Sequence, residues 1–259
     1  MPKISVLLPI RNAESYVERC LQSVFDQTLS DFEMVAVDDG STDDTLRKLD
    51  GLSSDTRLRV FTNRNMASGK PLHVGLARVC NQALALARGD YVAFIAHDDL
   101  WLPTKLEREL STARAHGADV IFSDFILRSE TGVDSVIHIS EFDVTRLKRE
   151  CYINASGALI SRAAINRLGE KAFDESLYSA MDWDFWIRLG QFDKFEHLAE
   201  TLSIYTRHRG QIARGLRHEL AKYKVYSRYN KGRVRYALTV LIKPYLSRIL
   251  HYPWKLIWH

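Results

Sequence analysis

The sequence has few of the residues that build disulfide frameworks and zinc sites. Only three cysteines occur among 259 residues, and Cys20, Cys80 and Cys151 lie far apart without Cys-x-x-Cys spacing. The nine histidines show no zinc-ligand spacing either. This pattern argues against a redox or zinc site. Because Cys20 and Cys80 fall at apolar positions of predicted helices, we expect them to be buried free thiols.

The N-terminus also lacks a long apolar run. The short run that begins at Ile4 follows a single Lys and ends before Arg11. It is too short for a signal peptide or a membrane-spanning helix, so we expect a cytoplasmic protein. The hydrophobic content of 46% is enough for one sizeable core in a chain of this length.

Two common phosphate-binding loops are missing. Gly69 and Lys70 are followed by Pro71, and no Gly stands five residues before Gly69, so the chain has no Walker loop. The first predicted strand is not followed by Gly-x-Gly-x-x-Gly, which argues against a dinucleotide-binding fold. Any phosphorylated ligand must therefore be held by other means.

Acidic residues are nearly absent from the C-terminal segment. Residues 207–259 contain thirteen Lys and Arg but one acidic residue, Glu219, which gives a net charge of +12. The other residues carry a net charge of −8. A basic tail on an acidic body suggests an anionic partner for the tail.

What the chain does contain is an alternation of strand and helix patterns. Apolar, β-branched runs predict strands at Ile4–Leu8, Phe32–Val37, Leu58–Thr62, Tyr91–Ala96 and Ala118–Phe125. Helical patterns lie between them, with Asn12 as the expected cap of the first helix and Ser41 or Thr42 of the second. This alternation predicts an α/β fold, a mostly parallel sheet flanked by helices. After residue 125 the alternation fades, and a C-terminal helical tail follows.

Polar stretches stand at the ends of three predicted strands: "PIRN" at 9–12, "DDGSTDD" at 38–44 and "HDD" at 97–99. In such sheets, ligands bind beyond the carboxyl ends of the strands. The adjacent carboxylates of Asp98 and Asp99 repel each other unless a cation lies between them and a phosphorylated ligand. Mg²⁺ and Mn²⁺ prefer such oxygen ligands. The pattern predicts a nucleotide-diphosphate sugar bound with Mn²⁺ or Mg²⁺.

Three segments resemble family 2 glycosyltransferases with the GT-A fold, in particular the spore-coat polysaccharide glycosyltransferases. They are "ISVLLPIRNAESYVERCLQSVFDQTLSDFEMVAVDDGSTDDT", "NQALALARGDYVAFIAHDDLWLPTKLE" and "MDWDFWIRL", with "YTRH" as a weaker fourth. They span about residues 3–208. The resemblance implies a metal-dependent enzyme that moves a sugar, with inversion, from a UDP-linked donor to an acceptor hydroxyl in surface polysaccharide or glycolipid synthesis.

The resemblance also implies roles for residues of the donor site. Pro9 and Arg11 would line the base pocket, and Asp39, together with Asp38, would bind the base or the ribose. Asp98 would bind both the nucleotide and the metal. Asp99 would be the second metal ligand beside it, and Lys70 and His208 are candidates for contacts with the diphosphate.

The general base implied by the resemblance is Asp182. Two positions depart from the family pattern. Ala96 stands where most members have the first Asp of the metal-binding element, and Met181 replaces the usual Glu before the base. These departures support a second hypothesis, in which the protein is a catalytically inactive module that binds nucleotide sugars.

Each candidate also has a simpler structural reading. Residues 38–44 fit a solvated turn with a helix cap, and Asp98-Asp99 fit a loop before a helix. Asp182 fits a helix cap over an aromatic core face, and we expect Asp184 at the surface. The basic, aromatic tail raises a third function, nucleic-acid binding. The acidic body contains no known module for it, so we expect no nucleic-acid partner.

The expected organisation is a GT-A domain over residues 1–210 and a tail over 211–259. The nucleotide-binding half of the domain would cover about 1–100 and the acceptor half about 101–210. In the tail, Lys243, Arg248 and Lys255 are interspersed with aromatic and aliphatic residues. This composition predicts peripheral attachment to an anionic membrane surface, where a lipid-linked acceptor would be met. The alternative is a tail that packs on its own domain or on a second subunit, forming a homodimer.

Overall fold

One mixed sheet runs through the part of the chain that the computed structural model describes, residues 2–64, 68–129, 134–208, 211 and 215–230. Its strands are β1 Ile4–Ile10, β2 Phe32–Asp38, β3 Leu58–Thr62, β4 Tyr91–Phe94, β5 Leu100–Trp101, β6 Val120–Arg128, β7 Asp134–Ile137, β8 Ala158–Ser161 and β9 Phe195–Thr206. The helices are α1 Val17–Phe25, α2 Thr45–Gly51, α3 Leu76–Leu86, α4 Lys105–His116, α5 Val144–Leu147, α6 Arg162–Arg167, α7 Met181–Leu189 and α8 Leu216–Tyr229. A 3-10 turn, Ala155–Gly157, precedes β8.

The strand order is β3-β2-β1-β4-β8-β6-β9-β5, and β7 pairs with β6. The first four strands are parallel, as predicted. The second half is mixed, because β8 is antiparallel to both β4 and β6, whereas β6 and β9 are parallel. The predicted α/β fold class is confirmed, and the antiparallel strands β7 and β8 belong to the region where the sequence alternation fades.

Hydrophobic side chains fill both faces of the sheet. Alternate residues of β1 separate the two layers, with Leu7 on one side and Val6 and Leu8 on the other, as the two-residue period of a strand requires. Helices α3 and α7 cover the first face, and α1 and α4 cover the second. Cys20 and Cys80 are buried free thiols in these layers, which confirms the prediction.

The predicted caps of the first two helices are wrong. The backbone N–H of Asn12 donates to Ser41 Oγ at 2.9 Å, and Asn12 Oδ1 accepts from the N–H of Thr42 at 2.9 Å. Helix α1 begins only at Val17, and α2 begins at Thr45. The polar loops after β1 and β2 thus bind each other across the sheet edge instead of capping their own helices.

The start of the predicted tail is helical, because α8 lies in it and buries Ala221 and Val225. Lys243, Arg248 and Lys255 fall in 231–259, outside the described residues. Within the described ranges, no helix is both long and apolar enough to cross a membrane. The domain boundary near residue 210 remains a prediction.

Candidate active site

A tight turn after β4 directs two adjacent carboxylates to different partners. The N–H of Asp99 donates to the carbonyl oxygen of Ala96 at 3.0 Å. This bond closes a four-residue turn over residues 96–99. Asp98 and Asp99 are both buried, so each carboxylate needs partners of its own.

Asp98 binds residues that follow β9. Its Oδ2 accepts from Gln211 Nε2 at 3.1 Å and lies 2.9 Å from Nε2 of His208. The His208 ring stacks on Tyr16, with the centroids 5.0 Å apart. The structure therefore brings together two predicted site residues, Asp98 and His208, and adds two that the sequence did not single out, Tyr16 and Gln211.

Asp99 binds residues of the 3-10 turn before β8 and of the end of β9. Its Oδ1 accepts from the N–H of Thr206 at 2.9 Å, and its Oδ2 accepts from Ser156 Oγ at 2.5 Å. Burial, and then the charge of Asp98, raise the pKa of Asp99 well above its usual range. Both carboxylate oxygens of Asp99 accept hydrogen bonds, so Asp99 connects the end of β9 to the turn. Its predicted role as a metal ligand is therefore less well supported than that of Asp98.

Asp98 offers one of the oxygen ligands that a hard divalent cation prefers. Among the described residues, no group of three or more His, Cys, Asp or Glu side chains could hold a metal alone. Asp98 nevertheless offers a buried carboxylate whose ion-pair partner in the described part of the chain is an imidazole, not a Lys or Arg. Mg²⁺ is commonly held by one or two carboxylates, with substrate phosphates and water completing its shell.

The carboxylates after β2 organise the neighbouring loop. Asp38 accepts from the N–H groups of Gly40 and Ser41, both at 3.1 Å, and from Ser41 Oγ. Asp39 Oδ1 accepts from the N–H of Val74 at 2.7 Å. The Oδ2 of Asp39 accepts from the N–H of Gly75 at 3.1 Å and lies 2.5 Å from His73 Nδ1. Both buried carboxylates thus also have a structural role at this edge of the sheet.

Gly40 lets the 68–75 loop cross the Asp38 turn. Its φ of 72° is in the left-handed region, and a Cβ there would lie 2.8 Å from the backbone nitrogen of Leu72. Lys70 belongs to this loop and is exposed. At the end of β1, Arg11 is exposed, and half-buried Pro9 pairs with Val37 of β2. These three predicted residues therefore lie at the same edge of the sheet as the Asp38 turn.

Asp182 lies in the first turn of α7 and is half-buried. Burial raises the pKa of its carboxyl group, although the backbone N–H groups of Trp183 and of Asp182 itself oppose the rise. The residue before the helix, Ala180, has φ 56° and ψ 20°. Such left-handed backbone is costly for a residue with a side chain and is frequent at functional sites. Because burial raises its pKa, the Asp182 carboxylate is more basic than that of an ordinary Asp.

Asp184 is buried, so its expected surface position is wrong. Its carboxylate accepts from Arg188 Nε at 2.8 Å, from Arg228 Nη1 at 3.0 Å and from Tyr229 OH at 2.8 Å. The helical period directs Asp184 towards α8, which supplies two of these donors. Asp184 fixes α8 to α7 and is poorly placed to accept a proton from a substrate.

Tyr205, near the end of β9, was missed in the sequence. Burial raises the pKa of its phenol to about 12, and the charges of Asp99, Asp98 and Asp182 add to the rise. The "YTRH" segment was the available signal for it.

Comparisons with known proteins show the family of this chain. Residues 5–171 match the profile of the family described as Glycosyl transferase family 2. An uncharacterized glycosyltransferase of Rickettsia felis is 25% identical over 198 residues, which are 73% of this chain and 31% of that protein. The UDP-Glc:alpha-D-GlcNAc-diphosphoundecaprenol beta-1,3-glucosyltransferase WfgD of Escherichia coli is 27% identical over 164 residues, 63% of this chain and 62% of WfgD. The chain thus spans about a third of the first relative and under two thirds of the second.

A similar fold occurs in S. aureus TarS, whose residues 1–349 were solved in complex with UDP-GlcNAc. The TM-score is 0.72 at 20% identity, and the match covers 98% of this chain and 76% of that one. At this identity the likeness concerns the fold alone.

Proposed function

The chain belongs to glycosyl transferase family 2, and we propose that it transfers a sugar, with inversion, from a UDP-linked donor to an acceptor hydroxyl in surface polysaccharide or glycolipid synthesis. The observation that carries the proposal is the Asp98 carboxylate, which is buried after β4 beside His208. Asp182, whose pKa is raised by burial, is the second carboxylate that supports it. One suits a diphosphate-bound cation and the other suits a general base.

The proposed donor site lies beyond the carboxyl ends of β1, β2 and β4. The base would contact Pro9 and Arg11, and Asp39 would accept from the base or the ribose. Asp38 would act mainly by shaping the turn, since three donors of that turn already bind it. The name of WfgD and the TarS complex both contain a UDP sugar, which supports uridine as the nucleoside.

Asp98 is the proposed metal ligand, with Asp99 beside it, and the cation is Mn²⁺ or Mg²⁺. When bound, such a cation stabilises the negative charge of the departing diphosphate. His208 is proposed to contact the diphosphate as well, because its Nε2 already lies 2.9 Å from Asp98. Lys70 is the second proposed contact, supported by its position in the exposed loop over the Asp38 turn.

Asp182 is the proposed general base. It would take the proton of the acceptor hydroxyl while that oxygen forms a bond to the anomeric carbon and the bond from this carbon to the diphosphate breaks. A raised pKa supports this role, because a more basic carboxylate is a better proton acceptor as long as it is ionised.

The proposed acceptor half covers about residues 101–210 and contains Asp182. The acceptor class is a saccharide or a lipid-linked saccharide. The name of WfgD, which contains a diphosphoundecaprenol-linked sugar, supports the lipid-linked form.

A thermal-shift screen of UDP, GDP and dTDP sugars in Mn²⁺ tests the donor proposal, with the UDP sugars expected to stabilise the protein most. Sugar-nucleotide hydrolysis then separates an enzyme from an inactive binding module, the alternative that Ala96 and Met181 favour. Stabilisation without any turnover would support the module, and no stabilisation by any of these donors would overturn the proposal.

A further inference from the structure

Helix α8 exposes apolar side chains on the side that faces away from the protein. Leu216 is 59% exposed and Leu220 is 48% exposed. Tyr223 follows at the spacing that places all three on one side of a helix. Ala221 and Val225 are buried on the opposite side. A surface helix in contact only with water normally carries polar residues there. We refer to Leu216, Leu220 and Tyr223 as the outer face of α8.

Contacts at both ends fix α8 to the candidate active site. Near its start, His218 Nδ1 lies 3.0 Å from the hydroxyl of Ser179, three residues before Asp182. At its end, Tyr229 donates to Asp184 of α7. The outer face of α8 therefore keeps a fixed orientation relative to the helix that carries Asp182.

Cations and a further aromatic ring border the outer face of α8. The guanidinium carbon of Arg217 lies 5.5 Å from the ring centroid of Tyr178, and Tyr178 is 48% exposed. Lys224 is exposed two turns further along the same side as Arg217. Apolar and aromatic side chains flanked by Lys and Arg are the composition of helices that lie in the headgroup layer of a membrane.

We propose that the outer face of α8, together with Tyr178, docks on an anionic lipid surface and holds the acceptor side of the active site towards the headgroups. Residues 207–259 carry a net charge of +12, which attracts anionic lipid and disfavours contact between two copies of the same face. The inference depends on the proposed function in one respect, the identity of the acceptor, which the enzyme would bind at that lipid surface.

Vesicle flotation of the full-length protein tests the proposal. The protein should float with vesicles of phosphatidylglycerol and phosphatidylcholine at low salt, and not with phosphatidylcholine alone. Leu216→Ser/Leu220→Ser should lower the partition coefficient about tenfold, because two apolar side chains no longer enter the interface. Phe192→Ser is the matched control. Phe192 is 77% exposed, but it follows the C-terminal end of α7 and is not part of the outer face of α8. It should float like the wild type.

Three results would overturn the proposal: unchanged flotation of the double variant, equal flotation with neutral vesicles, or a dimer in light scattering that the double variant loses. The last would assign the face to a second copy. UDP binding measured by calorimetry in the same variants reports on the proposed function separately, and the double variant should bind UDP like the wild type.

Discussion

Asp98 and Asp99 are adjacent in the chain, yet their carboxylates bind different parts of the protein. Asp98 meets His208, 110 residues further along the chain. Asp99 meets Ser156 and the backbone of Thr206. The contacts of Asp99 hold the end of β9, and Asp98 contacts His208, which follows this end. Two neighbouring carboxylates at a strand end therefore have separate partners: Asp99 holds the end of β9, and Asp98 is the one that we propose binds a ligand.

Removing either carboxylate should affect stability differently. Asp99→Ala leaves two buried donors without an acceptor and should lower the free energy of unfolding by about 2 kcal/mol or more. Asp98→Ala should change it by less than about 1 kcal/mol, because it also removes a charge that raises the pKa of Asp99. Urea denaturation of the unliganded proteins measures both. Equal losses would show that the two residues share one structural role.

Asp182→Asn should reduce sugar transfer by roughly two to four decades while leaving donor binding nearly unchanged. The variant keeps the shape of the side chain and removes its basicity. Initial rates and UDP calorimetry measure the two effects. Near-normal turnover would place the general base elsewhere.

The matched control is Asp184→Asn, two residues along the same helix. Asp184 is buried and binds Arg188, Arg228 and Tyr229. We expect a loss of about 1–3 kcal/mol in unfolding free energy, with turnover of the folded enzyme largely retained. A loss of turnover that exceeds the loss of folded protein would contradict this structural role.

The pH dependence of transfer should report the raised pKa of Asp182. The base must be ionised, so the rate falls as pH drops through that pKa, at a higher pH than for an Asp with the usual 3.8. Between the usual and the raised pKa, the folded state keeps a proton that the unfolded state releases, and stability is therefore lost as pH rises through this window. At neutral pH, Asp182→Asn should be at least as stable as the wild type. A rate that stays flat to about pH 4 in folded protein would argue against this assignment.

Arg11→Ala should weaken UDP binding about tenfold without changing the melting temperature, because the side chain is exposed at the donor edge of the sheet. Arg114→Ala is the control, since Arg114 is also exposed but lies at the end of α4, before β6 begins. Calorimetry with UDP compares the two. Equal affinities of both variants and the wild type would remove Arg11 from the base pocket.

Strands β1, β2 and β4 could be predicted from the sequence because they are short apolar runs with buried side chains on both faces. The predicted bounds of β3, Leu58–Thr62, match the structure, and β1 and β2 extend slightly beyond their predictions. The candidate residues after β1, β2 and β4 also lie at one sheet edge, as parallel pairing requires.

Contacts between distant segments could not be predicted in this way. Asn12 binds Ser41 and Thr42 instead of capping α1, because a loop from another strand reaches it. Asp184 is buried because α8 packs against it, although nothing within the "MDWDFWIRL" pattern indicates this partner. The stack of Tyr16 on His208 likewise depends on the path of β9.

Calorimetry of UDP binding in Mn²⁺ and in EDTA tests the central claim, that Asp98 and its neighbours form a metal-assisted nucleotide-sugar site. Wild-type protein should bind UDP at least about tenfold more tightly in Mn²⁺ than in EDTA, and Asp98→Ala should remove this difference. Equal affinity of the wild type in both solutions, or an unchanged Mn²⁺ effect in Asp98→Ala, would contradict the account.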